Sequence, residues 1–182
     1  MLTLTTARLH LRSFRDDDLT AFAALCANEG FMRFSGSGPL DAEKAGALLE
    51  RILSTRAGKP SQFAVFAGEP RQLIGYCGFF HQTVDGVEEI EIGYRLHPEF
   101  WNRGLATEAA QAVRDHAFRD LQLPRVISLI HPENHASERV ALKNGMKLEK
   151  FTNFRGFPAN VFAISRAEWE QLPKTETTLS SR

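Results

Sequence analysis

Glu89-Ile90-Glu91-Ile92-Gly93-Tyr94-Arg95-Leu96-His97-Pro98-Glu99-Phe100-Trp101-Asn102-Arg103-Gly104-Leu105-Ala106-Thr107-Glu108 is the stretch on which the fold turns. Its first half alternates with the period of a strand, so Ile90 and Ile92 face one way while Glu89 and Glu91 face the other. Its second half bends through Gly104 into a helix from about Leu105 to Phe118, with Ala106, Ala110, Val113, Ala117 and Leu121 at helical spacing. A helix entered from such a turn leaves its first four N–H groups without intrahelical acceptors. At the positive end of the helix dipole those donors make a site for phosphate oxygens, and Arg103 adds a charge. Gly104 and Ala106 carry little beyond the α-carbon, so a diphosphate can approach the backbone closely. Taken alone, the stretch fits a tight strand-to-helix connection with nothing bound equally well. Neither the P-loop pattern G-x-x-x-x-G-K-[ST] nor the dinucleotide pattern G-x-G-x-x-G occurs.

Upstream, strands are expected near 61–68, 72–82 and 86–97, divided by Gly68-Glu69-Pro70 and by Asp85-Gly86, a hairpin dipeptide. Before them come a strand over 7–13, a helix opened by Asp16-Asp17-Asp18, a loop from Gly30 to Gly38 and a helix over 41–55. Downstream, the β-branched run Val126 to Ile130 reads as an interior strand and 135–144 as a helix ended by Gly145. Two last strands, 146–154 and 160–165, flank a turn holding Gly156 and Pro158, and the polar segment from Pro173 is expected to fray. The order β-α-α-β-β-β-α-β-α-β-β predicts an α+β fold, a central twisted mixed sheet of about seven strands with helices on both faces. One domain over 1–172 and a polar tail over 173–182 are expected.

The chain has 182 residues, with 22 basic residues balancing 22 acidic ones, so no bulk field attracts nucleic acid or an anionic membrane. No segment approaches the roughly 20 apolar residues of a membrane span, and Arg8, Arg12, Arg15 and the acidic triplet interrupt any signal-peptide core. A soluble, cytoplasmic protein is the expectation. Cys26 and Cys77 form no C-x-x-C pair and read as buried thiols. Of six histidines only His131 and His135 stand four apart, with Pro132 between them, so no metal site is expected.

Four ordered marks carry a resemblance over nearly everything from Arg8 to Trp169. They are Thr6-Ala7-Arg8-Leu9-His10-Leu11-Arg12, Glu91-Ile92-Gly93-Tyr94, the turn from Trp101 to Ala109, and Pro132-Glu133-Asn134-His135-Ala136-Ser137-Glu138-Arg139-Val140. The chain resembles the GNAT acetyltransferase superfamily, within it the branch that includes the N-terminal acetyltransferases of ribosomal proteins. The superfamily turn is written Q/R-x-x-G-x-G/A, and Trp101 in first place is a mark of that branch. The resemblance implies that Asn102, Arg103, Gly104, Leu105, Ala106 and Thr107 hold the pyrophosphate of coenzyme A through backbone N–H groups. It implies that the strand near Leu96 pairs with the pantetheine arm and that Asn134 hydrogen-bonds the same arm, although an Asn before a helix is also a preferred N-cap. The tyrosine that many members carry seven residues after this Asn is Ala141 here. The branch carries a serine three residues after it, so Ser137 is the candidate proton donor to the departing sulfur, alongside an ordinary helix-start role.

For an acetyl-CoA-dependent N-acetyltransferase the candidate base is Glu91, provided burial raises its pKa, with Glu89 better suited to a solvated place. The oxyanion would meet a strand N–H near Tyr94 to Leu96. Phe31, Phe34 and Phe154, with Arg155 and Phe157, are expected at the acceptor entrance. A peptide N-terminus, polyamine, amino acid or aminoglycoside all suit that lining, in a monomer or homodimer with neither nucleic acid nor membrane as partner. His97 is a secondary base or a surface residue. A non-catalytic acyl-CoA-binding module and a nucleotide-binding regulator are the rival readings.

Overall fold

The computed structural model describes residues 2–55, 60–173 and 178–181. The elements run β1 (Leu2–Thr5), β2 (Leu9–Ser13), α1 (Leu19–Cys26), α2 (Glu29–Met32), α3 (Ala42–Ser54), β3 (Gln62–Ala67), β4 (Gln72–Val84), β5 (Val87–Leu96), α4 (Leu105–Arg119), β6 (Arg125–Ile130), α5 (His135–Lys143), β7 (Lys147–Phe154), β8 (Phe157–Ser165), α6 (Arg166–Glu170) and β9 (Thr178–Ser181). The strands form one mixed sheet in the order β7-β8-β6-β5-β4-β3-β2-β1-β9. Every neighbouring pair is antiparallel except β5 with β6. The α+β fold expected from the sequence is the one observed.

Local chemistry sets the boundaries. Asp85 and Gly86 both take positive φ, 51° and 80°, which matches the right-handed twist of the β4–β5 hairpin they join. Asp41 caps α3 by accepting from the Lys44 N–H at 2.8 Å, and Gly145, at φ +83°, ends α5. The acidic triplet forms a single 3-10 turn ahead of α1, and its last member is buried, with Asp18 held bidentate by Arg12 at 2.7 Å.

Five features differ from the sequence reading. β1 is an additional strand, because four residues of alternating Leu and Thr are too short to stand out as a pattern. The tail expected to fray instead contributes β9, whose backbone pairs with β1 from Leu2↔Ser181 to Thr5↔Thr178; positions 174–177 and 182 lie outside the described residues. The last hairpin turn is Arg155-Gly156, both at positive φ, and Pro158 lies inside β8 opposite Asn153. Ser165 and Glu168 close a capping box that starts the unforeseen α6. Phe31 does not border an entrance: the loop expected at 30–38 begins with α2, and Phe31 is 2% exposed.

Two cores sandwich the sheet. One face packs Leu11, Phe79, Ile92, Val113, Phe118 and Phe162 around α4. The other packs Phe14, Phe22, Phe31, Met32 and Leu49 beneath α1, α2 and α3. Between these layers Gly75 of β4 has no room for a side chain, since an added Cβ would stand 2.0 Å from the Arg95 carbonyl oxygen of β5.

Candidate active site

The turn into α4 is shaped by two left-handed residues, Asn102 at φ 59° and Gly104 at φ 76°. The first backbone bond of the helix runs from the Glu108 N–H to the Gly104 carbonyl at 3.0 Å, and no side chain caps the helix start. Among the described residues, no protein acceptor takes the N–H groups of 102–107. Free donors at a helix N-terminus fit an anion, so the turn passes the test that a diphosphate sets.

Two of the sequence marks, the one from Thr6 to Arg12 and the turn from Trp101 to Ala109, meet here. Arg8 donates Nη1 to the Arg103 carbonyl at 2.8 Å and Nε to Glu108 at 2.7 Å, and the Thr6 hydroxyl reaches Glu108 at 2.6 Å. Burial opposes ionisation of Glu108, but the Thr6 hydroxyl, the Arg8 N–H and its guanidinium outweigh it and hold the carboxyl below its usual range. The pair Arg8–Glu108 thus braces the turn from beneath without touching its amides.

Beside the turn, β5 and β6 part. Their register holds one pair, Glu91↔Ile127. Two groups that would extend the ladder are diverted: the Ser128 hydroxyl donates to the Ile92 carbonyl at 2.7 Å, and the Leu129 N–H turns to the Glu91 carboxylate at 3.4 Å. The His97 N–H bonds the Ile74 carbonyl across β4, so strand alternation aims the amides of Tyr94 and Leu96 into the gap. Trp101 closes one end of it, donating its indole N–H to the Leu96 carbonyl at 2.7 Å. That bond gives Trp101 a role beyond packing, and it leaves the N–H rather than the C=O of Leu96 for an extended ligand.

Glu91 stands half-buried on the α1–α3 face of β5. Gln82 donates to it at 2.7 Å and accepts from Arg155 at 3.2 Å. Burial raises the Glu91 carboxyl above its usual range, against the pull of Gln82, the Leu129 N–H, Arg155 and Arg95. Glu89 is not a solvated carboxylate, since it pairs with Arg125 at 3.2 Å. Gln82 was missed from sequence because its place emerges only from the β4–β5 register, where it lies opposite Glu89 and diagonal to Glu91.

Across the gap, the Asn134 side chain caps α5 by accepting from the Ser137 N–H at 3.1 Å, while its NH2 has no partner among the described residues. The Ser137 hydroxyl is likewise unengaged; its carbonyl accepts from Tyr94 Oη at 2.8 Å, which fixes α5 to β5. Ala141 is fully buried. His97 meets Asn28 at 3.3 Å and the Glu99 N–H at 3.4 Å, so both ring nitrogens have neighbours. Burial pushes the Cys26 thiol to about 11 and Cys77 higher still, which leaves neither as a ready nucleophile.

The other aromatics expected at the entrance make local contacts of their own. Phe34, 39% exposed, stacks 5.9 Å from His131, Gly36 faces the Phe157 ring, and Arg155 lies 4.9 Å over Phe154. Among the described residues no group of His, Cys, Asp and Glu could hold a metal ion.

Residues 8–147 match the family model described as the acetyltransferase (GNAT) domain. A Bacillus subtilis protein named as the uncharacterized N-acetyltransferase YnaD is 33% identical over 148 residues, 81% of this chain and 84% of its own length. A second from that organism, YoaA, is 29% identical over 169 residues, 88% of this chain and 95% of its own. Among solved structures, a GNAT-family acetyltransferase from Bacillus anthracis superposes with TM-score 0.78 at 25% identity, covering 91% of this chain and 99% of that one. A ribosomal alpha-N-protein acetyltransferase, RimL, solved in complex with coenzyme A, superposes with TM-score 0.75 at 19% identity over 91% and 98% of the two chains, a likeness of fold.

Proposed function

The chain belongs to the GNAT acetyltransferase family, and from that premise we propose that it transfers an acetyl group from acetyl-CoA directly to a primary amine. The observation that carries the reading is the set of free N–H groups over 102–107 beside the parted strands β5 and β6. Acetyl-CoA would supply an activated thioester there. The amides of Asn102, Arg103, Gly104, Leu105, Ala106 and Thr107 hold its diphosphate, the Leu96 N–H pairs with the pantetheine arm, and the unengaged NH2 of Asn134 supports it.

Three tasks then fall to side chains and backbone. Glu91, kept proton-loving by burial, accepts the ammonium proton of the acceptor directly or through one water. The Tyr94 N–H, aimed into the gap, stabilises the oxyanion. The Ser137 hydroxyl, with no competing partner, gives its proton to the departing sulfur as it takes one from water, so that serine and thiol both end protonated. Attack is direct, because both thiols are buried and hard to ionise.

The test joins calorimetry to turnover. Acetyl-CoA should bind while ATP and NAD do not, and thiol release should depend on an added amine. Glu91→Gln should keep coenzyme affinity and lower kcat at least about 100-fold. Tight coenzyme binding with no thiol release on any amine would make the protein a binding module, and ATP binding in place of acetyl-CoA would overturn the reading.

A further inference from the structure

Arg95 is placed unlike any other shielded arginine in the described chain. Arg12 gives its guanidinium to Asp18, Arg114 to Asp115, Arg125 to Glu89 and Glu149, and Arg166 to the carbonyls of Phe118 and Leu123. Arg95, half-buried like most of these, has only the Met32 sulfur, 3.2 Å from Nη1. A thioether is a weak acceptor, and a guanidinium carries five donors. Two rings hold its position, Phe31 and Tyr76, each with its centroid 5.7 Å away. The guanidinium is thus held between two rings with solvent-accessible nitrogens that no carboxylate or carbonyl of the described residues occupies, which leaves them available to an anion.

Its location gives it a task. Arg95 and Glu91 lie on the same face of β5, four residues apart, and the Arg95 charge acts on the Glu91 carboxyl. The same side is bordered by the exposed Arg33 over Phe34 and by Arg155 over Phe154. Positive charge on this scale repels a polycation and attracts an acceptor that brings its own anion.

We propose that Arg95 is a specificity-determining residue that binds a carboxylate of the acceptor, so that the substrate is an amine bearing a carboxylate, an amino acid or an acidic peptide, and not a polyamine or an aminoglycoside. The inference rests on the acetyl-transfer reading above. Charge-assisted hydrogen bonds from a guanidinium to a carboxylate discriminate by about tenfold or more.

The experiment compares kcat/KM for amino acids and dipeptides with kcat/KM for the same compounds in which every carboxylate is a carboxamide, with spermidine and an aminoglycoside alongside. Wild type should favour the carboxylate member of a pair at least about tenfold. Arg95→Gln should collapse that ratio, and Arg95→Lys should restore part of it. The ratio is the readout because the Arg95 effect on Glu91 falls equally on both members. Equal use of carboxamides, or better use of spermidine, overturns the inference and leaves acetyl transfer standing; so does a preference that survives Arg95→Gln. Acetylation of no amine at all overturns the acetyl-transfer reading and the inference with it. Should Arg95→Gln fail to fold, the wild-type ratio alone still decides for or against the carboxylate.

Discussion

Burial lifts the Glu91 carboxyl, and Gln82, Leu129, Arg155 and Arg95 pull it back, so its protonation is set by a balance that single substitutions can move. Replacing Gln82 by Leu removes a donor that favours the ionised form. The acid limb of the kcat/KM profile should therefore shift to higher pH, measured on wild type and variant with one amine. Stability should respond with the opposite sign to activity. Because the folded-state value is raised, the Glu91 contribution to stability is present below the ordinary glutamate range and is lost as pH rises through the folded value. Glu91→Gln does not titrate, so its melting temperature should exceed that of wild type at neutral pH, with the difference fading towards pH 4. An equal or lower melting temperature at pH 7 would mean that the carboxylate is better solvated than its surroundings indicate. At this scale the sequence carried part of the site. Alternation and family pattern were enough to single out Glu91 and Ser137 as candidates, whereas the surroundings of Gln82 and Arg95 were not legible, because they depend on which side chains strand pairing and helix packing bring against them.

Among the elements, the turn into α4 and the β4–β5 pair depend on glycine for different reasons. Gly104 has open space around it, the nearest atom to an added Cβ being Arg8 Nη2 at 3.5 Å, but its φ of +76° disfavours any side chain. Gly104→Ala should cost about 1 kcal/mol in denaturant unfolding and weaken coenzyme binding as the turn relaxes. Gly75 is limited by space. An added Cβ would meet the Arg95 carbonyl oxygen at 2.0 Å and the Leu96 Cα at 2.9 Å, both backbone of β5. Gly75→Ala should thus destabilise by at least about 2 kcal/mol and displace the strand that aims the Tyr94 and Leu96 amides into the gap. Elements with a strong local signal were legible: the Asp85-Gly86 hairpin, α4 with its small-residue stripe, and α5 ended by Gly145 all fall where the sequence puts them. The short edge strands β1 and β9 lack that signal, since a four-residue strand is defined by its partner more than by its own pattern. Phe31 was misread for a related reason: glycines on either side suggested a loop, while the Asn28 cap and the pocket beneath α1 place it in the core.

Across the whole molecule the sheet has one weak seam. Eight strand pairings hold it together, and all but one extend over several residues, yet β5 and β6 share the single pair Glu91↔Ile127. In place of an extended backbone ladder, the strands before the seam and those after it are joined by packing on α4, by the Tyr94–Ser137 bond and by side-chain bonds from Ser128 to the Ile92 carbonyl, from the Leu129 N–H to Glu91 and between Glu89 and Arg125. A ligand lying in that seam and bonding both lips would add the cross-links the ladder lacks. Coenzyme A should then raise the melting temperature in a concentration-dependent way, by about 2.7 kcal/mol of stability at a hundred times its dissociation constant. Hydrogen exchange should slow at the amides of 102–107, at Tyr94 and Leu96 and at the start of α5, while β1 to β3, remote from the seam, change little. Protection spread evenly over all strands would indicate general stabilisation without a ligand seated between β5 and β6. Protection confined to 102–107 would place the diphosphate correctly and remove the Leu96 N–H from the pantetheine contact, leaving Trp101 to hold that edge of β5 alone.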